Sequence, residues 1–515
     1  MPRIIGRACA VLLLLVVAGC SAGPSDRPAV AYRGSEQQVP PDRGTPQQQP
    51  VPPLGPRSQD ALGWRDCTAT TKNELGEADV PDGTRFSCTH LNTSLSPTGT
   101  RRRGTMQLSL LGVGTGKIPL VVVNDVRGEQ GTTFAARLAL HLPERMLREY
   151  TVIGMDRRGT GESDAANCVP AQNRETITGF DPRATEKSEL DELNDSIRSA
   201  SKECLLELEQ RAQAYDTRRA ADDLEELRIE LGVPRLHAIG RGEGSRVLTT
   251  YAQQHPGSVG RTVLDGAPDP VLESLARTKQ QARSAERTFD AFASACGDSG
   301  NCPLGDDPRA LLDGLVERAR ADGLPTADEP LRSGELIRAV LHGLTDRGSW
   351  PHLETALAAA DDGDASELAV FVRSPDPDVN RLDARMITRC NDTMLRLPPE
   401  RATDVAREWA DSLPLFGGMF AQRLVQCSLW PRPQEALPAP ESGELPPVPV
   451  ISTKHDPLTP AEGSKNMAGR LSSGIAVNWL GSGHGALGES DCVTRLVGRF
   501  FTDGEVPPEG TACPA

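Results

Sequence analysis

Between residues 105 and 265, short apolar runs alternate with stretches whose apolar positions recur at helical spacing. Residues 106–111 read as a strand. Residues 118–123 form a near-continuous apolar run closed by Asn124-Asp125, and 150–156 form another; runs of this length suit strands covered on both faces. In 217–231 the residues Ala220, Ala221, Leu224, Leu227 and Leu231 share one helical face, and Gly232 ends the helix. Strands at 235–239, 261–264 and 448–452 complete the set. The order predicts an α/β fold with a mostly parallel sheet flanked by helices. Residues 268–446 read differently, as helical stretches (278–295, 308–321, 333–343) broken by Asp/Gly/Pro turns. They are expected to form a helical cap inserted between a first core part, 61–267, and a second, 447–515.

The first sixty residues carry no such pattern. Arg3 and Arg7 precede an apolar run, 8–18, that ends in Val17-Ala18-Gly19-Cys20, the charge–apolar–small order of a secretory signal. The run is too short to span a bilayer, which takes about 20 residues. The cysteine after Ala-Gly resembles the lipobox of bacterial lipoproteins. That resemblance implies a signal peptide at 1–19, cleavage before Cys20, and lipidation of Cys20 that holds the exported chain to the outer face of the cytoplasmic membrane. An ordinary signal peptide with an incidental cysteine is the alternative. Residues 20–60, rich in Pro and Gln, lack apolar clustering and are expected to form a solvated tether.

Composition adds three points. The net charge of −15 argues against nucleic acid as a partner. Of the 56 basic residues 49 are Arg, a skew so general that it gives no single arginine functional weight. Ten cysteines remain beyond Cys9 and Cys20, an even number that suits up to five disulfides in an exported chain, neighbour pairing being the simplest connectivity. No CxxC pair or His/Cys cluster has zinc spacing, and no nucleotide loop or haem motif is present, so neither a metal nor a cofactor is expected. The oligomeric state stays open.

Five segments then fall into one order: 156–163 (DRRGTGES) after a strand, 240–245 (GRGEGS) between strand and helix, 264–270 (LDGAPDP), 456–460 (DPLTP) and 483–485 (GHG). Together with Trp64, Cys67 and the Cys492–Cys513 tail they resemble the secreted α/β-hydrolases of the tripeptidyl aminopeptidase type, over nearly the whole folded part. The resemblance implies an α/β-hydrolase fold and cleavage of short peptides or related acyl groups from N-termini by Ser, Asp and His, with Asp456 and His484 as the second and third members. It also implies a cap that reads the substrate's amino group partly through acids. Glu335, Glu354 and Asp361 are acidic residues of the insertion, and nothing singles one out.

The serine is missing. In the G-x-S-x-G pattern Gly240 and Gly244 match the flanking glycines, and the nucleophile position is Gly242, which has no side-chain atom to attack a carbonyl. The oxyanion loop departs too: the usual Gly-Gly-Pro-Gly stretch corresponds to residues 124–131, with Asp125, Val126, Arg127 and Gly128 at its centre. Asp125 and Glu129 there would oppose a developing negative charge, and losing one oxyanion donor costs roughly 3–4 kcal/mol. Ser245, three residues into the helix, is a displaced candidate nucleophile; packing of the first turn or a bond to the backbone is its structural alternative. Two functions follow. One is an envelope lipoprotein impaired in serine hydrolysis that binds a peptide or small acyl ligand in its capped pocket. The other is a hydrolase that uses Asp456 and His484 with Ser245 or water. Asp156, Arg157, Arg158, Asp265 and Asp269 are expected to be scaffolding.

Overall fold

Alternate side chains of the run 118–123 go to opposite sides. Leu120 and Val122 enter one apolar cluster, and Val121 and Val123 enter another, as a strand buried on both faces requires. The computed structural model describes residues 49–57, 62–75, 80–81, 83–95, 104–126, 129–184, 186–373, 381–440 and 445–515. Among these residues ten strands form one sheet: β1 (Arg65–Asp66), β2 (Phe86–Ser94), β3 (Thr105–Val113), β4 (Ile118–Val123), β5 (Tyr150–Met155), β6 (Leu236–Arg241), β7 (Val259–Asp265), β8 (Val448–His455), β9 (Gly474–Ser482) and β10 (Thr511–Cys513). Their order is β1-β2-β3-β5-β4-β6-β7-β8-β9-β10. The β1–β2, β2–β3 and β3–β5 pairs are antiparallel, and the rest are parallel. This sheet, with helices on both faces and a tight glycine turn after β6, has the α/β-hydrolase fold. Strands β2 and β9 lack a continuous apolar run; β9 alternates buried with half-exposed residues over much of its length, the mark of a strand near an edge.

Between β7 and β8 the described residues form eight helices, from Ser274–Asp298 to Gly417–Val425. They share a hydrophobic cluster with residues that precede β6, among them Ile177, Leu193, Ile197 and Cys204. The cap core therefore draws on the helices Ala171–Gly179 and Lys187–Leu208 as well as on the insertion 268–446. A second difference lies at the start, where residues 49–57 fall inside the expected tether but pack on the sheet domain. Val51 and Leu54 touch its core, and the Pro52 carbonyl accepts from Arg261 Nε at 3.0 Å. Arg261 is buried and needs such an acceptor. The ten cysteines pair as neighbours: 67–88, 168–204, 296–302, 390–427 and 492–513. Among the described residues no helix is long and apolar enough to cross a membrane.

Register decides what meets at the sheet's carboxyl edge. Val123 of β4 lies opposite Gly240 of β6, so residues 125 and 242, each two positions further on, emerge side by side. β8 and β9 pair up to His455 opposite Ser482, which brings Asp456 and His484 to the same edge, where ligands of open α/β sheets bind. The fit is tight: a Cβ on Gly244 would lie 2.0 Å from the Val123 carbonyl oxygen, so only glycine lets the helix Glu243–Gln254 approach β4 this closely.

Candidate active site

Gly242 turns the chain from β6 into that helix at φ 55° and ψ −124°, a conformation costly for any residue with a side chain. In a G-x-S-x-G elbow the side chain at this tip is the nucleophile. Here the space is filled from elsewhere. A Cβ built on Gly242 would lie 2.1 Å from Asp125 Oδ2 and 2.6 Å from its Cγ. The carboxylate of Asp125 thus stands where a side chain at 242 would be.

Its two oxygens have separate partners. Oδ1 accepts the backbone N–H of Glu243 at 2.7 Å, the group that follows the elbow residue and serves as an oxyanion donor in such turns. Oδ2 lies 2.6 Å from His484 Nε2. On the other side of the ring, His484 Nδ1 is 3.1 Å from both oxygens of Asp456. Asp456 also accepts from the backbone N–H groups of Leu458 and Thr459, each at 2.8 Å, and from Thr459 Oγ1 at 2.6 Å. The imidazole is held between two carboxylates in a site with 11% of the His484 side chain exposed, 5% of Asp125 and none of Asp456.

Burial alone would disfavour a charged imidazole. The charges of Asp456 and Asp125, with the hydrogen bonds they accept, outweigh it and push His484 up to about 10. Burial likewise raises the Asp456 carboxyl, but the His484 charge and the hydrogen bonds from His484 and Thr459 bring it below its ordinary value. At neutral pH the ring is therefore an imidazolium, held between Asp456 and Asp125. Both ring N–H groups donate, and no ring nitrogen has a lone pair for a proton. The cap pins the two loops that carry the pair: Ser284 Oγ donates to the Asp456 carbonyl at 2.7 Å, and the His484 N–H donates to the Thr345 carbonyl at 2.6 Å.

Ser245 points away from this centre. It is fully buried, and its hydroxyl donates to the Gly240 carbonyl at 2.9 Å. Val126 is buried in the cap-side cluster; Arg127, Gly128 and Cys20 lie outside the described residues. Asp156 accepts from Thr132 and the Glu162 N–H, Arg158 pairs with buried Asp223, and Asp265 accepts from the N–H groups of Ala486 and Leu487 and pairs with Arg241. Asp269 accepts from Val271, Leu272 and Asn466. All four are scaffolding. Arg157 is not placed like its neighbours: it lines a cavity between the elbow helix and the cap. In the cap, Glu335 pairs with Arg373 and Asp361 with Arg318, and neither these two nor Glu354 lines that cavity.

Residues 413–513 match the family model described as TAP-like protein. The chain is similar to TAP-type α/β-hydrolases. It is 26% identical over 424 residues to the serine protease Hip1 of Mycobacterium tuberculosis, covering 77% of this chain and 81% of that one. It is 27% identical over 381 residues to the putative hydrolase YuaR of Escherichia coli, covering 70% and 73%. To the tripeptidyl aminopeptidase of Streptomyces lividans it is 22% identical over 381 residues, covering 71% of each chain. Against this TAP-type background the glycine at the elbow tip and the carboxylate that fills its place are the features to be explained.

Proposed function

We propose that this chain is an exported, lipid-anchored protein of α/β-hydrolase fold that has lost serine hydrolysis and binds a small ligand, a peptide or acyl compound, in its capped pocket without turnover. One observation carries the reading: Asp125 occupies the side-chain space of position 242 while accepting from both His484 and the Glu243 N–H. A serine hydrolase needs a hydroxyl at the elbow, a neutral imidazole to take its proton and a free N–H for the oxyanion. Gly242 removes the first, and Asp125 occupies the other two. The same ion pair weighs against hydrolysis by water alone, because an imidazolium cannot act as a general base, and the Ser245 hydroxyl is committed to Gly240.

The purified wild-type protein is expected to take up no serine-reactive fluorophosphonate and to leave fluorogenic aminoacyl, dipeptidyl, tripeptidyl and short-chain ester substrates unhydrolysed. Turnover that disappears in His484→Ala would sink the reading and make the chain an enzyme with a different nucleophile.

For the anchor, the support is the order Arg3, Arg7, apolar run, Ala-Gly-Cys20 and the Pro/Gln-rich stretch behind it. In a bacterial host Cys20→Ala is expected to move the protein from the membrane fraction to the soluble exported fraction. An unchanged distribution, with no lipid on the Cys20 peptide by mass spectrometry, would overturn it.

A further inference from the structure

The cavity beside the elbow is basic. Arg157, Arg246, Arg277, Arg385, Arg389 and Arg423 line it, against two carboxylates, Glu243 and Asp392, with Thr and Ser hydroxyls between them. Its interior, apart from the open mouth, has a volume of about 60 Å³, room for a small anion and a few waters. The arginines come from separate parts of the chain: Arg157 from the loop after β5, Arg246 from the elbow helix, and the others from the cap helices Ser274–Asp298, Arg381–Asp392 and Gly417–Val425. Six guanidinium groups around one cavity favour an anion in it. Asp392 lies among them and also accepts from Thr217, the backbone N–H at 2.9 Å and the hydroxyl at 2.7 Å.

Arg157 gives a second, independent sign. Its side chain is 4% exposed, yet its Nε and Nη1 have no hydrogen-bond partner. Buried guanidinium N–H groups without acceptors are costly, and these belong to a wall of the cavity. Burial above all, and Arg246 after it, bring Arg277 down to about 10 against the opposing charges of Glu243, Asp392 and Asp269.

We propose that this cavity is a binding site for a small ligand bearing two or more negative charges as oxyanions, a phosphate monoester being the simplest, gripped by guanidinium forks that match phosphate and carboxylate oxygens. The inference deepens the reading of a capped ligand-binding protein by naming the ligand's charge, which is opposite to that of a free amino terminus. It does not depend on whether hydrolysis has been lost.

Isothermal titration of the folded wild type with inorganic phosphate, glycerol phosphate and citrate tests it, with a neutral acetylated amino-acid amide and a lysine amide as controls. The anions are expected to bind, the two controls not. Arg157→Gln, and separately Arg246→Gln and Arg277→Gln, are expected to weaken binding at least tenfold. Arg246 and Arg277 are less buried than Arg157, so those variants keep the test open should Arg157→Gln not fold. Preference for citrate over phosphate would identify a polycarboxylate as the source of the charge, within the same proposal. No anion binding, binding unaffected by all three substitutions, or binding of the lysine amide instead would overturn it. Ester or peptide turnover by the wild type would remove the loss of hydrolysis and leave this result standing.

Discussion

Gly242→Ser combined with Asp125→Gly is expected to react with a fluorophosphonate and to hydrolyse short-chain esters, whereas Gly242→Ser alone stays unlabelled. The single variant puts a Cβ at a point 2.1 Å from Asp125 Oδ2, so the carboxylate would have to leave and give up its contacts with His484 and the Glu243 N–H. The new residue would also carry the strain of φ 55°, worth roughly 1–3 kcal/mol. Removing Asp125 at the same time empties the space, returns the Glu243 N–H to an incoming oxyanion and leaves His484 with one carboxylate, Asp456, in the orienting role. Its pKa then falls back toward the range in which a base works. One recovered oxyanion donor is worth about 10²–10³ in rate, so turnover at least about a hundredfold above the wild-type background is the expected reading. Labelling of Gly242→Ser at the rate of the double variant would show that Asp125 does not block the site.

This coupling of 125 to 242 explains what the sequence could and could not reveal. Gly242 is legible as a missing nucleophile because the glycines at 240 and 244 fix the frame. Asp125 is legible only as an acid in the wrong loop. That it fills the vacated space depends on the register of β4 against β6, with Val123 opposite Gly240, which no local pattern states. Gly242 and Asp125, 117 positions apart in the chain, share one space in the fold, and only a paired reading of the two positions reveals it.

The sheet follows the same logic. Strands buried on both faces, such as β4 and β5, announce themselves as apolar runs, whereas β2 and β9 alternate and are masked by their polar positions. The cap's use of the helices Ala171–Gly179 and Lys187–Leu208 is invisible because a helical face does not say which core it enters. The arginine cavity is the hardest case. With 49 arginines in the chain, the six that converge carry no distinguishing mark, and only the fold separates Arg157, whose Nε and Nη1 are unanswered, from Arg158, which is clamped to Asp223.

The second large effect concerns stability and its dependence on pH. His484→Ala leaves Asp125 and Asp456 buried without the cation between them, and removing one partner from a buried charge cluster costs about 3–5 kcal/mol. The variant is therefore expected to unfold at a clearly lower urea concentration than wild type at pH 7. The difference must shrink as the pH rises, and the sign follows from the shift. A group whose pKa is raised on folding, here to about 10 from an unfolded value near 6.5, contributes stability that is complete below pH 6.5 and disappears as the pH passes through 10. Asp456 is shifted the other way, so its share is present above the ordinary carboxylate range and lost on acidification. The clamp should be strongest between about pH 5 and 7. Asp125→Asn, which keeps the shape but removes one of the two charges, should lower the imidazole pKa and start the alkaline loss at a lower pH. Imidazole chemical shifts between pH 6 and 11, read beside the urea midpoints, check both statements. A His484 that titrates near 6.5 in the wild type would show that the ring is not held between two carboxylates, and the account of a closed site would fall with it.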